Sequence, residues 1–462
     1  MNTELIDRDR ELAVLKARAE APGGQLVVVW GRRRAGKTYL LQAFIERRRC
    51  IYYAATQQSA AVELAAFTDV ARATLGDVGL PPGYIFPDWS IALNFVTANT
   101  GQERLVVVLD EFPYLTDSTP GLESIVQRWW DQRGQRSNVM LVLCGSAVAY
   151  MRQTMESAAP LHQRATASLG VAPLDYRAAG DFVPALPAAE RAVVYGVLGG
   201  TPLYLAQWNP LLDRRTNLIQ LFGSATSPLV DAAELVLSGE LPELEGAFRV
   251  LQAVALGRTR PSEIADYAKV AVERPLRRLV TLGILERRIP ALADAARSKR
   301  GIYRIIDPYF AFWFRFIAPN RAHIARGLGA QLVDGRILPN LDEHMGGIFE
   351  EMAREHARGL AAQGELEAER VDSWWSTDGA HEIDLVGVRD RDHISFVGTV
   401  KWSARPLGRE VLTNLDDHSA ALPGYRGGTP RLIYGRTGCG ATLTREPLVR
   451  CISVEDMYGM VD

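Results

Sequence analysis

Cysteines are scarce in this sequence, and none of them stands in a metal-binding pattern. The 462 residues include four cysteines, with no CxxC pair and no His/Cys cluster at zinc spacing. This pattern argues against a zinc site built on cysteine. We therefore expect Cys50, Cys144, Cys439 and Cys451 to be free thiols in a reducing compartment.

Strong net charge and long apolar segments are also missing. The formal net charge is −2, which argues against a uniformly basic protein but leaves room for local basic patches. The strongest early apolar run, residues 26–30, is far shorter than the roughly 20 residues that span a bilayer. The charged first residues, MNTELIDRDREL, lack the apolar core of a signal peptide. We predict a soluble, cytoplasmic protein without a membrane partner.

What the sequence does contain is an alternation of buried strands and helices. Continuous apolar runs at residues 25–30, 50–55, 105–109 and 140–144 are typical of strands that are covered on both faces. Stretches of helical periodicity separate them, as at residues 38–49. Strands that alternate with helices predict an α/β fold whose core is a parallel sheet with right-handed crossovers.

The motif GRRRAGKT follows the first predicted strand and has the spacing GxxxxGK[ST]. In such a loop, glycines let backbone N–H groups point at the β-phosphate, the lysine reaches the β- and γ-phosphates, and the hydroxyl ligates Mg²⁺. The next helix presents its positive end to the nucleotide. The motif predicts a site for ATP and Mg²⁺ formed by Gly31, Arg32, Arg33, Arg34, Ala35, Gly36, Lys37 and Thr38; the alternative is an ordinary glycine turn.

Two adjacent acids, Asp110 and Glu111, follow the apolar run at residues 105–109. Neighbouring carboxylates at the end of a buried strand are costly unless a cation is present. We predict that Asp110 joins Thr38 in binding Mg²⁺ and that Glu111 polarises the attacking water, because phosphoryl transfer needs a charge clamp, a metal and a placed water. The alternative is an acidic turn.

The strings GRRRAGKTYLL, DEFPYL and GGTPLYL together resemble the archaeal-type ATPases of the AAA+/STAND branch of P-loop proteins. The resemblance covers nearly the whole chain, and it implies a P-loop core with a helical lid. It also implies that Ile6, Arg8 and Glu11 pack near the adenine. Ser146 would be a polar sensor at the tip of the next strand; the alternative is that Ser146 merely ends that strand.

Two further roles come from the same resemblance. Arg164 would face the γ-phosphate, in cis or from a neighbouring copy in a homo-oligomer; the alternative is a salt-bridged surface arginine. Pro202, with Gly199 and Gly200, would abut the nucleotide from the lid; the alternative is a simple helix stop. For the arginine triplet at residues 32–34, the alternative to phosphate binding is a solvated loop, which we favour for at least one of the three.

A change of pattern after the predicted core indicates a winged helix. Residues 253–289 have the pattern of three helices with turns, followed by a strand of a wing. Residues 256–304 contain twelve basic residues, among them Lys299, against five acidic ones, a net charge of +7. This predicts DNA contact, with a protein-binding module as the alternative. The aromatic segment at residues 307–319 is predicted to fill a core; a stacking surface for bases is the alternative.

The resemblance extends to a C-terminal domain whose layout is similar to the PD-(D/E)xK nucleases. Those enzymes need a helix glutamate, a strand aspartate and an acid-x-lysine on the next strand to hold Mg²⁺ and activate water. Glu350, Asp384 and Lys401 occupy these places, but Thr399 stands where the second acid belongs. A neutral hydroxyl is a poor substitute for that charge. Glu382 would share the strand face of Asp384 and could in part supply the charge that is missing at Thr399.

These patterns combine into four predicted domains and one leading function. The domains are a P-loop ATPase core at residues 1–182, a helical lid at 183–240, a winged helix-turn-helix at 241–320 and a restriction-endonuclease-like α/β domain at 321–462. We predict an ATPase that acts as a nucleotide-controlled switch, with a degenerate nuclease-like module that binds nucleic acid or protein. The alternatives are an ATP-regulated, Mg²⁺-dependent DNA nuclease and a regulator that binds protein partners without nucleic acid.

Overall fold

A parallel five-stranded sheet organises the first part of the chain. This computed structural model describes residues 6–76, 79–157, 159–239, 241, 244–294, 297–298, 300–390 and 392–459. The sheet contains β1 (Gln25–Trp30), β2 (Cys50–Ala54), β3 (Leu105–Asp110), β4 (Val139–Gly145) and β5 (Ala167–Gly170). Their order across the sheet is β2-β3-β4-β1-β5, and every neighbouring pair is parallel.

Helices cover both faces of this sheet, which explains why its central strands are continuously apolar. The helices are α1 (Asp9–Glu20), α2 (Lys37–Ile45), α3 (Ala60–Leu75), α4 (Trp89–Ala98), α5 (Phe112–Ser118), α6 (Leu122–Gln132) and α7 (Val148–Gln153). Side chains of α1 and α2 pack with one face of the strands, as Leu15 and Phe44 do. Those of α3 to α6 pack with the other face, as Phe67 and Trp129 do.

The parallel arrangement brings the carboxyl ends of three strands to one edge. In the register, Trp30 lies opposite Gly145 and Leu109 lies opposite Leu143. The segments that follow β1, β3 and β4 therefore begin side by side. These segments contain the GRRRAGKT motif, the acidic pair and Ser146, respectively.

Helices and one hairpin form the middle of the chain. The helices are α8 (Tyr176–Gly180), α9 (Ala188–Leu198), α10 (Pro202–Leu205), α11 (Arg214–Phe222), α12 (Ala232–Ser238), α13 (Leu244–Ala255), α14 (Pro261–Ala268) and α15 (Glu273–Thr281). Strands β6 (Leu285–Arg288) and β7 (Ile302–Ile305) then pair in antiparallel fashion. Lys299 lies outside the described residues.

The aromatic segment that follows the hairpin is core. It forms α16 (Pro308–Phe312) and a π-helix (Trp313–Ile317), in which the aromatic side chains are buried. Tyr309 and Trp313 also donate hydrogen bonds to the carbonyl oxygens of Leu229 and Val230. The structure therefore supports the core prediction for this segment and leaves no exposed aromatic face there for stacking on bases.

A second, mixed sheet forms the end of the chain. After α17 (Arg321–Ala325), α18 (Gly329–Leu332) and α19 (Leu341–Ala362) come β8 (Arg370–Trp375), β9 (Glu382–Arg389), β10 (His393–Lys401), α20 (Arg409–Ala420), β11 (Arg431–Gly435), β12 (Val449–Ser453) and α21 (Val454–Gly459). The order is β12-β11-β10-β9-β8, parallel from β10 to β12 and antiparallel from β8 to β10. The predicted α/β fold with a separate C-terminal sheet is confirmed.

The expectation of four free thiols is wrong for two of the cysteines. Cys439 and Cys451 form a disulfide bond, with their Cα atoms 6.0 Å apart. Cys451 lies on β12, and Cys439 lies in the segment after β11, so the pairing of β11 with β12 brings the two together. Cys50 and Cys144 are free, as expected. The spacing of 12 residues has no metal-binding or redox-motif meaning, which is why the sequence did not indicate the bond.

The contacts divide the chain into two compact units. One comprises the described residues up to Leu174 together with Thr201–Leu203, and the other comprises Asp175–Gly200 and the described residues from Tyr204 onward. The predicted boundaries near residues 183, 241 and 321 stay predictions. Among the helices of the described segments, none has both the length and the hydropathy needed to cross a bilayer.

Candidate nucleotide site and the C-terminal acidic cluster

The phosphate loop, residues 31–38, forms a tight turn that connects β1 to α2. Gly36 precedes α2 with a φ of +93°, a conformation that side chains disfavour. A Cβ atom at Gly31 would lie 2.3 Å from the carbonyl oxygen of Val171, so glycine is required for the chain to pass this close to the end of β5. The two glycines are therefore needed for different reasons: Gly36 because of its positive φ, and Gly31 because of its close approach to Val171.

Lys37 is buried at the first position of α2. Its Nζ donates hydrogen bonds to the carbonyl oxygens of Gly31 at 2.7 Å and Arg32 at 3.0 Å. Burial lowers the pKa of Lys37, whereas the nearby Glu111 and Asp110 act in the opposite direction. The ammonium group thus lies within the phosphate loop and beside the acidic pair, which is the arrangement that a metal-bound phosphate requires.

Asp110 ends β3 with both carboxylate oxygens in hydrogen bonds. Its Oδ2 accepts from the Tyr52 hydroxyl at 2.5 Å and from Thr38 Oγ1 at 3.4 Å, and its Oδ1 accepts from the backbone N–H of Glu111 at 2.9 Å. A hydroxyl and a carboxylate are the hard oxygen donors that Mg²⁺ prefers. Thr38 and Asp110 therefore fit this ion, and together with phosphate oxygens they would hold it.

Glu111 and Ser146 meet because β3 and β4 are neighbours. Glu111 has a φ of +52°, so it stands in the left-handed region at the sharp turn between β3 and α5. Its Oε2 accepts hydrogen bonds from Ser146 Oγ at 2.8 Å and from the Ser146 backbone N–H at 3.3 Å. A strained backbone of this kind persists only where its surroundings hold it. The carboxylate of Glu111 is consequently fixed in direction beside the phosphate loop.

Arg8 of the leading segment and Pro202 both lie close to the phosphate loop. The buried guanidinium of Arg8 donates hydrogen bonds to the carbonyl oxygens of Ala35 at 3.1 Å and Ala172 at 2.7 Å. Pro202 Cγ lies 3.8 Å from the position that a Cβ atom on Gly36 would occupy. Arg8 and Pro202 thus both lie against the phosphate loop, and the predicted contacts of Arg8 with the adenine and of Pro202 with the nucleotide stay predictions.

The structure does not bring every predicted residue into this group. Arg33 is exposed and donates a hydrogen bond to the hydroxyl of Tyr114. Arg164 makes a two-pronged ion pair with Asp131, with Nε···Oδ1 at 2.9 Å and Nη2···Oδ2 at 2.8 Å. This pair supports the alternative for Arg164, that of a salt-bridged surface arginine.

In the second unit, the nuclease-like residues are near one another but are paired with basic or neutral groups. Arg304 of β7 forms an ion pair with Glu350 of α19 at 3.2 Å. Asp384 of β9 accepts a hydrogen bond from Thr399 Oγ1 at 3.0 Å and lies 3.7 Å from Lys401 Nζ. Glu350 is therefore held by a guanidinium rather than left available to a cation.

A further acid, Glu382, lies near Asp384 and Glu350. Burial raises the pKa of Glu382, and repulsion from Asp384 and Glu350 adds to the shift. Within the described residues, no group of three or more His, Cys, Asp or Glu side chains has an arrangement that could hold a metal ion. The predicted rescue of the nuclease site by Glu382 therefore finds no support in the geometry.

Sequence reasoning missed Tyr52, which makes the shortest hydrogen bond to Asp110. Tyr52 lies in an apolar run that was predicted only as a buried strand, and tyrosine is common in strands. The one indication in the sequence is that two consecutive tyrosines, Tyr52 and Tyr53, stand in this strand, one on each of its faces. Only the structure shows that the strand pairs with β3. The faces of the two tyrosines could not be distinguished without the sheet order.

The fold and the site define a P-loop ATPase. A glycine-bounded phosphate loop with a buried lysine joins a parallel strand to a helix, and a carboxylate from a neighbouring strand meets the loop hydroxyl. Residues 5–208 match a family of ATPase domains described as predominantly from Archaea. Residues 313–413 match a second family, described as archaea bacterial proteins of unknown function.

Individual proteins with similar sequences or structures were also found. An uncharacterized protein of Methanocaldococcus jannaschii is 28% identical over 408 residues, which are 86% of this chain and 87% of that protein. A Walker-type ATPase of Pyrococcus abyssi has a TM-score of 0.48 and 20% identity, covering 68% of this chain and 97% of its own. The Aeropyrum pernix ORC2 protein in ADPNP–ADP complexes has a TM-score of 0.44 and 14% identity, covering 72% and 96%. The ATPase assignment itself rests on the family match.

Proposed function

We propose that this ATPase is a molecular switch, in which ATP binding and hydrolysis in the first unit control what the second unit binds. The observation that supports the proposal is a contrast between the two units. Lys37, Asp110 and Glu111 lie together at the phosphate loop, whereas Glu350 is paired with Arg304 and Thr399 stands where a nuclease needs its second acid. This contrast supports catalysis in the first unit and a binding role for the described residues of the second.

The residues around the phosphate loop have distinct roles in this proposal. Lys37 and the loop N–H groups bind the phosphates, and Thr38 and Asp110 hold Mg²⁺, which when bound neutralises phosphate charge. Glu111 orients and polarises the attacking water, with its direction fixed by Ser146. Arg164 is given no catalytic role, because its guanidinium is engaged by Asp131.

ATP hydrolysis by three variants tests the proposal. Lys37→Ala should abolish turnover, and Glu111→Gln should lower the rate by about 100-fold while ATP still binds, because the amide cannot polarise water as a carboxylate does. Glu103→Gln is the matched control, since it makes the same change at an exposed residue just before β3. Equal rates in wild type, Lys37→Ala and Glu111→Gln would refute the ATPase mechanism.

We further propose that duplex DNA is a ligand of the second unit. The order of α13, α14, α15, β6 and β7 matches that of a winged helix. In such a domain the second helix of the helix-turn-helix pair, here α15, is the recognition helix that enters the major groove. On α15, Arg274, Arg277 and Arg278 are exposed and spaced so that they share one helix face. This face favours phosphate contact.

Not all of the basic residues predicted for DNA are on such a surface. Arg288 forms ion pairs with Glu286 and Glu351, and Arg304 forms one with Glu350. These two arginines stabilise packing of the hairpin on α19, so the net charge of +7 overstates the surface that DNA could meet. The proposed DNA contact therefore depends on α15 rather than on the strands of the hairpin.

Anisotropy with a labelled DNA duplex over a range of salt concentrations tests this contact. Changing Arg274, Arg277 and Arg278 together to Gln should reduce the slope of log K against log salt by about 2 to 3, since each phosphate contact contributes about 0.9. A control variant changes the exposed Arg128, Arg133 and Arg136 of the first unit to Gln. Absence of wild-type binding at low salt would favour the protein-binding regulator instead.

The nuclease alternative has less support than the switch. It needs a metal between Glu350 and Asp384, but Arg304 pairs with Glu350 and Thr399 replaces the second acid. We expect supercoiled and linear DNA to remain intact with wild-type protein and Mg²⁺ or Mn²⁺. Cutting that Asp384→Ala abolishes would establish the nuclease and remove this part of the proposal.

A further inference from the structure

The side chain of Tyr52, on β2, contacts Asp110, the last residue of the neighbouring strand β3. It lies opposite Val108 in the register, two residues before Asp110. Its ring packs with the core cluster under α2, and its hydroxyl donates a hydrogen bond to Asp110 Oδ2 at 2.5 Å. In this bond the phenol hydroxyl is the donor and the carboxylate is the acceptor.

The geometry points to Tyr52 as a positioning residue that orients the Asp110 carboxylate for Mg²⁺, an inference that rests on the proposed ATP site. Asp110 Oδ2 has a second donor in Thr38, but that contact is 3.4 Å long, and Thr38 is itself expected to ligate the ion. Cys144 also faces Asp110, although a thiol is a weak donor. Tyr52, which also has a side-chain hydrogen bond with Thr38, is therefore the strong donor to Oδ2 that is not itself expected to ligate the ion.

The Asp110 Oδ1 atom is held differently. It accepts from the backbone N–H of the adjacent Glu111 at 2.9 Å. This contact fixes one oxygen relative to the local chain, and the Tyr52 hydroxyl fixes the other relative to the next strand. A carboxylate held at both oxygens loses little rotational freedom when it binds a cation, and such supporting hydrogen bonds typically contribute 10- to 100-fold in metal affinity.

The same strand provides a matched control. Tyr53 donates a hydrogen bond of the same length, 2.5 Å, to Oε2 of the buried Glu63. It points to the opposite face of the sheet, where its ring packs with the core cluster that contains α3 and α4. Tyr53→Phe therefore removes an equivalent tyrosine–carboxylate bond one residue away, without touching Asp110.

The test measures metal binding directly. Protein saturated with a non-hydrolysable ATP analogue is titrated with Mn²⁺, and free Mn²⁺ is followed by electron paramagnetic resonance. Tyr52→Phe should weaken Mn²⁺ binding by about tenfold, which corresponds to the loss of one hydrogen bond to a charged group. Binding of the analogue without metal should stay within about twofold of wild type, as should Mn²⁺ affinity in Tyr53→Phe.

Two kinds of failure can be told apart. If wild-type protein does not bind the analogue, the proposed ATP site is wrong and the inference fails with it. If wild type binds analogue and Mn²⁺ but Tyr52→Phe has the same Mn²⁺ affinity, the role of Tyr52 alone is overturned. Circular dichroism checks folding, and should Tyr52→Phe be unfolded, Tyr52→Met replaces it, because it also keeps an apolar side chain and lacks the hydroxyl.

Discussion

Ser146 donates a hydrogen bond of 2.8 Å from its hydroxyl to Oε2 of Glu111, so the residue after β4 fixes the direction of the residue after β3. The Ser146 backbone N–H supports the same oxygen at 3.3 Å. Because the backbone N–H remains in Ser146→Ala, this substitution loosens Glu111 without removing it. A substitution at Ser146 therefore tests how the position of the Glu111 carboxylate affects catalysis while the carboxylate itself remains.

Ser146→Ala should lower kcat for ATP hydrolysis by about 10- to 100-fold. One hydrogen bond to a charged group contributes about 1.5–3 kcal/mol, and about 1.4 kcal/mol is tenfold in rate. The KM for ATP should change less than about twofold, since Glu111 is not proposed to bind nucleotide. Steady-state kinetics measures both values.

The control for this prediction is Ser168→Ala, which removes a hydroxyl that accepts a hydrogen bond from Trp30 Nε1 on the same sheet. Its kcat should equal that of wild type. A normal kcat in Ser146→Ala would show that Glu111 does not depend on this hydrogen bond.

Arg8→Met should destabilise the first unit by about 2–4 kcal/mol. The substitution keeps an apolar stem of similar length but removes the hydrogen bonds to the Ala35 and Ala172 carbonyls and the ion pair with Glu11 at 3.2 Å. Since Ala35 belongs to the phosphate loop, ATP affinity should fall as well. Urea denaturation with and without ATP measures the two effects.

The exposed Arg10 serves as the matched control, because Arg10→Met makes the same change two residues further along the chain. Its stability should remain within about 0.5 kcal/mol of wild type. If Arg8→Met behaves in the same way as Arg10→Met, the leading segment does not hold the phosphate loop.

Glu355 of α19 should make stability depend on pH in the opposite sense to an ordinary acid. Burial raises the pKa of Glu355 to about 7, with repulsion from Asp175 and Glu351 adding to the shift. Its folded pKa lies above its unfolded value, so its contribution to stability is fully present below about pH 4.5 and is lost as the pH rises through 7. Above pH 7 the folded protein must hold a charged carboxylate in a desolvated place.

Glu355→Gln should therefore raise the unfolding free energy of the second unit at pH 8 by about 1–3 kcal/mol and leave it nearly unchanged at pH 5. Thermal or chemical unfolding at the two pH values measures this difference. Glu410→Gln, at an exposed position of α20, should show no such pH dependence. A Glu355→Gln variant that is less stable than wild type at pH 8 would contradict the prediction.

The sequence predicted those parts of the site whose chemistry depends on local spacing. Lys37 and Thr38 follow from a motif of eight residues, and Asp110 follows from an acid placed directly after an apolar run. The parallel sheet followed from the same apolar runs. Helix bounds were less certain: the helix predicted at residues 38–49 ends at Ile45, because the chain turns at Arg48 to enter β2.

Contacts between distant parts of the chain could not be predicted in the same way. Tyr52 and Asp110 are 58 residues apart, and their hydrogen bond depends on the order and register of two strands. Arg304 and Glu350 are 46 residues apart, so a residue counted as part of a DNA surface proves to be an internal ion-pair partner. The disulfide between Cys439 and Cys451 likewise depends on how β11 and β12 pair.

Equilibrium binding of ATP in the presence of Mg²⁺ tests the nucleotide site most directly. Isothermal titration of wild-type protein should show one ATP bound per chain, and Lys37→Ala should bind about 100-fold more weakly or not at all, because it loses the buried ammonium group of the phosphate loop. Wild-type protein that retains no adenine nucleotide, or Lys37→Ala with unchanged affinity, would contradict the site described for the first unit.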